Sequence, residues 1–298
     1  MQLSAQSLRL LDAFALRAKR SFFGIRQGAH RSQRRGHGVE FAEYRQYELG
    51  DNPRAIDWNL YGRSDKLYIK RYLEEQNVSL YIVIDGSRSM THEQLRAKWD
   101  LATHIAACAS YIALATQDPV VLSVIGGPHS PRYWGGRALA PLLKFLSDAT
   151  DVMVSDDTQD IDLIASAKRL ATRVRFPGIL LFISDFLYPV DEVAKVLSHF
   201  RARNMEIHAV QVLGDSDHAL HTTHSGETLV DSETGAIQGI SLDPDSHSLY
   251  QQLLQQHIFS IRQHCLQNQI SFHSTLLNAG DAVEQVALKT VSSLGLFV

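Results

Sequence analysis

The sequence predicts an α/β protein built on a doubly wound, mainly parallel open sheet, with an N-terminal extension and a small β-hairpin insertion. Three observations carry this. The run Val78 to Ile84 is almost continuously apolar, as in a strand buried on both faces of a parallel sheet. From there onward, strand-like runs of six or seven residues alternate with longer segments of helical periodicity. The alternation is interrupted once, around Asp231 to Gly235, where two short β-like runs flank a glycine suited to a hairpin turn.

Taken in order, residues 3 to 20 place Leu8, Leu11, Ala15 and Leu16 on one helical face, ending in Arg17, Lys19 and Arg20. Residues 24 to 38 carry four glycines among arginines and histidines and read as a loop. After the strand ending at Ile84, apolar groups at Leu95, Trp99, Ala102, Ile105, Ala109 and Ile112 mark a helix over 93–116, and Pro119 to Ile125 a second strand. Helices are predicted near 138–147 and 161–174, then a strand over 179–184. A helix over 190–203, a strand over 207–213, a helix over 246–267, a strand over 270–276 and an amphipathic segment over 282–294 complete the pattern. Five strands between helices make a doubly wound sheet. The expected division is an extension over 1–75 and an α/β domain over 76–298, with the hairpin near 227–241.

The 298 residues are 45% hydrophobic and 20% charged, ample for a packed core. The net charge of -3 conceals an uneven split, since residues 1–75 hold 14 Lys and Arg against 9 Asp and Glu. Nucleic-acid binding by this basic front end is disfavoured because its arginines alternate with acids. Only the run Arg31 to His37 lacks nearby acids and offers itself to anions. The two cysteines, Cys108 and Cys265, lie in apolar helical patterns and give neither a disulfide framework nor a zinc ribbon. With no secretory signal pattern and no apolar run of about 18 residues, a soluble cytoplasmic protein is expected. Trp99 and Trp134 sit among apolar residues and are expected in the core.

Ligands gather at the carboxyl ends of strands in open parallel sheets, and two strands here end in aspartate, Asp85 and Asp185. The first opens the string Asp85-Gly86-Ser87-Arg88-Ser89, which spaces one carboxylate and two hydroxyls on a single loop. Such hard oxygens suit a small divalent cation that keeps several waters. The plain alternative is that Asp85 and Ser87 cap the next helix. His218, His221 and His224 share a spacing of three, but their polar surroundings favour a loop over a metal-binding helix face.

At these residues the chain resembles a von Willebrand factor A-type domain with its metal-ion-dependent adhesion site. The resemblance implies Mg²⁺ or Mn²⁺ held by Asp85, Ser87 and Ser89 from the first loop and Asp185 from the third, with a partner's acidic side chain completing the shell. The family's threonine meets Asp157-Thr158-Gln159-Asp160-Ile161, where helix register aligns Gln159 with it and Thr158 is the nearest hydroxyl. Ahead of this, the segments Gly28 to Ser32, Gly36 to Phe41, Tyr44 to Asp51, Arg54 to Trp58 with Arg63, and Leu67 to Lys70 resemble the signature of the bacterial domain of unknown function 58 family. Membership implies a von Willebrand A-like domain after that signature and a link to MoxR-type AAA+ ATPases, hence an adaptor role in assembly or maturation of protein complexes.

Within the signature, Arg45, Arg54 and Arg63 alternate with Glu40, Asp51 and Asp57, and an internal network of arginine-carboxylate forks is expected. No enzymatic activity is expected: the Asp85 and Asp185 loops contain no histidine, and their hydroxyls have no adjacent base. The competing reading is a Mg²⁺-dependent phosphotransferase or phosphatase using Asp85 as nucleophile. Dehalogenase-like phosphatases place a second acid two residues on, where this chain has Ser87. A dinucleotide-binding enzyme is set aside because no Gly-x-Gly-x-x-Gly follows a strand.

Overall fold

The structure is a computed structural model, which describes residues 3–14, 16, 23–27, 40–75, 78–91, 96–155, 161–174, 178–218, 228–230, 237–239 and 244–297. The chain divides into two compact units, Arg20–Asn77 on the one hand and Met1–Lys19 with Val78–Val298 on the other. The first nineteen residues thus belong with the sheet unit and not with the extension over 1–75.

The N-terminal helix is shorter than its periodicity predicts. Helix α1 (Ala5–Leu11) is capped by the Ser4 hydroxyl, which accepts from the Ser7 N–H at 3.2 Å, and ends at Asp12. Beyond it Leu16 pairs with Phe297 in an isolated antiparallel bridge, so the backbone leaves the helix to meet the C-terminal end of the chain.

The smaller unit contains β1 (Phe23–Gln27), β2 (Glu40–Gln46), α2 (Trp58–Ser64) and β3 (Tyr68–Glu75). Its strands form an antiparallel sheet in the order β1-β3-β2. Residues 24–27 are therefore strand and not loop: pairing with β3 outweighs the low strand preference of Gly24. The Asp57 carboxylate caps α2 by accepting from the N–H groups of Asn59 and Leu60 at 3.0 and 3.2 Å.

The larger unit runs β4 (Ser79–Ile84), α3 (Arg88–Thr91), α4 (Arg96–Ala115), β5 (Val120–Val124), α5 (Leu139–Ser155), α6 (Leu163–Arg173), β6 (Gly178–Ser184), α7 (Val190–Arg201), β7 (Glu206–Gly214), α8 (Asp215–His218), β8 (Thr228–Val230), β9 (Ile237–Gly239), α9 (Pro244–Gln267), β10 (Ser271–Leu277) and α10 (Val283–Ser293). Five of these strands form a wholly parallel sheet in the order β10-β7-β6-β4-β5. Strands β8 and β9 pair antiparallel as the expected hairpin. The strand order reverses between β4 and β6, which makes their carboxyl ends the topological switch point where this class of sheet binds ligands.

Every residue of β6 and β7 is buried, which is why both read as near-continuous apolar runs. Val83, Leu180, Phe182, Ile207 and Ala209 pack with Leu163, Ala167, Val193, Leu197, Phe200, Ile261 and Cys265 of α6, α7 and α9. In α4, Ala102, Ala106, Ala109 and Ala113 are fully buried beside Leu101, Ile105 and Ile112, small side chains that let this helix lie close to its neighbours. Trp99 belongs to this core, its indole Nε1 donating to the Thr150 hydroxyl at 3.0 Å. Trp134 does not: it is half exposed in the segment after β5, where its Nε1 donates to the Gln117 carbonyl at 2.8 Å. Among the described residues no helix is long and apolar enough to cross a membrane.

Candidate functional site at the strand ends

Asp85 follows β4 and Asp185 follows β6, and both carboxylates are completely buried. Asp85 accepts from the Ser184 hydroxyl at 2.6 Å and from the Ser87 N–H at 3.0 Å. Ser87 and Ser89, also buried, lie with their hydroxyl oxygens 3.0 Å apart. The tight turn needs glycine at 86, since a Cβ there would stand 2.3 Å from the Ile125 carbonyl oxygen and 2.6 Å from the Met153 methyl. Thus Asp85, Ser87 and Ser89 come together as the spacing predicts. Helix α3 begins at Arg88, so the capping alternative and the ligand reading draw on the same loop.

Burial, and then the negative charge of Asp185, push the Asp85 carboxyl up to about 7, with the Ser184 hydroxyl and the Ser87 N–H pulling partly back. Its hydrogen-bond donors are neutral, and no cation pairs with it among the described residues. A buried carboxylate in that position either keeps its proton or takes a cation.

Asp185 is placed differently from expectation. Its Oδ2 is 2.9 Å from the Nζ of Lys98, a residue of α4 that is itself buried, and Lys98 reaches on to Asp217 Oδ1 at 3.1 Å. Burial alone would lower the Lys98 ammonium, but the charges and hydrogen bonds of Asp185 and Asp217 outweigh it, and the net direction is upward. Asp217 lies in α8 and accepts from the Gly214 N–H at 2.8 Å. Two further side chains lock these loops: Gln211 donates to the Asp185 carbonyl at 2.9 Å and accepts from Ser274, while the Asp185 Oδ1 takes the Leu187 N–H at 3.3 Å. From α9, His257 Nε2 lies 2.8 Å from the Phe186 carbonyl oxygen, and the Tyr250 hydroxyl donates to the Asp217 carbonyl at 2.9 Å.

Lys98 and Asp217 are the site residues that sequence reasoning missed. A lone lysine within an otherwise apolar helical face, with Leu101, Ala102 and Ile105 three, four and seven residues on, is the signal that could have found Lys98. Thr158, Gln159, the run Arg31 to His37, His221 and His224 lie outside the described residues.

Among the described residues, the arginine-carboxylate contacts of the smaller unit centre on Arg45. Arg45 forks onto Asp51 with contacts of 2.6 and 2.5 Å and reaches Glu48 at 3.1 Å. The Tyr44 hydroxyl donates to Asp57 at 3.1 Å, and the same carboxylate caps the start of α2. Arg54 and Arg63 are exposed and form no ion pair among the described residues.

The sequence matches the family described as "Protein of unknown function DUF58" over residues 43–257. The chain belongs to the DUF58 family. Among similar proteins, Uncharacterized protein Rv1480 of Mycobacterium tuberculosis is 26% identical over 244 residues, which are 80% of this chain and 74% of that protein. Uncharacterized protein Mb1516 of Mycobacterium bovis shares the same identity and coverage. Of solved structures, the conserved hypothetical protein BatB from Bacteroides thetaiotaomicron aligns with a TM-score of 0.42 at 9% identity, covering 73% of the DUF58 chain and 98% of BatB. The pilus adhesin SpaC from Lactobacillus rhamnosus GG aligns at 0.42 and 10% identity, over 74% of this chain and 30% of SpaC.

Proposed function

We propose that this DUF58 protein is a non-enzymatic interaction module, an adaptor of von Willebrand A-like type that recognises an acidic side chain of a protein partner through a divalent cation. The observation that carries the reading is the buried Asp85 carboxylate at the switch point, supplied by neutral donors only and adjoined by a second buried carboxylate. Such a cluster suits Mg²⁺ or Mn²⁺, because its remaining groups are hard hydroxyl oxygens. Asp85, Ser87 and Ser89 would hold the ion, with Asp185 contributing from the facing loop and Thr158 from the segment before α6. The bound ion supplies an electrophilic position for a partner's carboxylate.

The site is poor in acid-base machinery. His257, which reaches the loop after β6 from α9, is engaged with a backbone carbonyl, and the ammonium of Lys98 is committed to two carboxylates. Family membership makes a MoxR-type AAA+ ATPase the first partner to test, in assembly or maturation of protein complexes. The buried thiols of Cys108 and Cys265 suit a reducing compartment such as the cytoplasm.

Titration calorimetry with Mg²⁺ and Mn²⁺ tests the ion, with binding expected in the wild type and lost in Asp85→Ala; identical heats would end the metal reading. Capture of the MoxR-type ATPase from the same cell, with and without chelator, tests the mode. Turnover of a generic phosphoester that vanishes in Asp85→Asn would replace the adaptor by a phosphatase.

A further inference from the structure

Apart from the strand-end site, the larger unit carries a cleft of about 310 Å³ between the end of β5 and one face of α6. None of its lining residues is Asp85, Ser87, Ser89 or Asp185. We infer that this cleft binds a small molecule bearing a phosphate monoester.

The charge of the lining is the first argument. Arg169 and Arg173, one helical turn apart on α6, both line the cleft, and His129 faces them from the segment after β5. Among the described lining residues one carboxylate stands against these, Asp162, and its Oδ1 already accepts the Ala165 N–H at 2.8 Å as the N-cap of α6. Among the described lining residues, two guanidinium groups beside a single engaged acid leave an excess of positive charge that an anion would neutralise.

The donors of the cleft are partly held in place and partly vacant. The Ser166 hydroxyl is buried and takes a hydrogen bond from Arg169 Nη2 at 2.8 Å, which fixes that guanidinium on the cleft wall. Arg173 has neither ion pair nor hydrogen bond from its side chain among the described residues. The Nδ1 of His129 is shut off from solvent with no hydrogen-bond partner among them, although the His129 backbone is pinned by a bridge to Ser123.

Size and shape select the ligand class. Planar guanidinium forks match phosphate oxygens two at a time, and two of them with an imidazole suit a tetrahedral dianion better than a planar carboxylate. The volume stands at the lower end of small-molecule sites, about 300–1,000 Å³, and exceeds what a bare phosphate needs. The wall next to the apolar part of the cleft depends on Gly126, whose φ is +76° and where a Cβ would meet the Ile161 side chain at 2.3 Å.

The test is calorimetry on the full chain in chelator and about 0.15 M chloride, so that surface attraction is screened and no divalent ion takes part. The probes are inorganic phosphate, phenyl phosphate and benzoate. Phenyl phosphate is expected to bind more tightly than inorganic phosphate, and benzoate more weakly than either. Arg169→Gln and Arg173→Gln should each weaken phenyl phosphate by about tenfold or more, equivalent to about 1.4 kcal/mol, while Arg203→Gln, an exposed arginine outside the cleft, leaves it unchanged. Unchanged melting temperatures in the two cleft variants, both at exposed positions, exclude misfolding. The proposal is overturned by absent binding, by equal affinity for benzoate, by an unaffected Arg173→Gln, or by an equal loss in Arg203→Gln.

Discussion

The ammonium of Lys98 stands between two buried carboxylates, 2.9 Å from Asp185 and 3.1 Å from Asp217. This pair of contacts ties a helix behind the sheet to the loops after β6 and β7. A buried charge shared by two partners is costly to strand, because either side left alone keeps its desolvation penalty.

Lys98→Met is therefore expected to lower stability by about 3–5 kcal/mol, read from urea unfolding. Adding Asp185→Asn and Asp217→Asn to that variant should restore most of the loss, since no net charge is then stranded. If the triple variant is no more stable than the single one, Lys98 matters through its packing and not through its charge.

The Asp85 carboxyl gives a pH dependence of defined sign. Its folded value, about 7, lies above the ordinary 3.8. Between those values the folded protein holds a proton that the unfolded chain has released, so stability falls as pH rises through this window. In chelator, the wild-type melting temperature should drop from pH 5 to pH 8 more steeply than that of Asp85→Asn. Parallel curves would remove Asp85 as the titrating group.

Gly86→Ala forces a methyl group to 2.3 Å from a backbone carbonyl oxygen that is part of the β5 end. A carbonyl cannot swing aside as a side-chain terminus can. Loss of both thermal stability and Mg²⁺ heat is expected, and a variant that melts and binds like wild type would contradict the turn geometry.

In the smaller unit the arginines should separate into two classes. Asp57→Ala removes a helix cap worth about 1 kcal/mol, together with the Tyr44 contact. Arg45→Ala removes the fork onto Asp51. Arg54→Ala and Arg63→Ala, at exposed positions, should stay within about 0.5 kcal/mol of wild type. A uniform cost across all three arginines in thermal melts would restore the broader network.

Much of the larger unit was legible because its strands are buried on both faces and leave unbroken apolar runs, and because the aspartates stop those runs abruptly. The loop of Asp85, Ser87 and Ser89 is local, so spacing alone assembles it. Lys98 and Asp217 were not legible in the same way: Lys98 meets Asp185 across 87 residues of sequence and Asp217 across 119, and only packing brings them together. The strand at Phe23–Gln27 was hidden because its partner β3 lies almost fifty residues on, while the local glycine content argued for a loop. Trp134 was misplaced because apolar neighbours do not distinguish a surface segment from the core.

Helix α9 holds the backbone after β6 through His257 and the backbone of Asp217 through Tyr250, seven residues apart on the same helix. Those two anchors make the helix a rigid yoke across neighbouring loops. A displacement of α9 along its axis would carry both loops with it in concert.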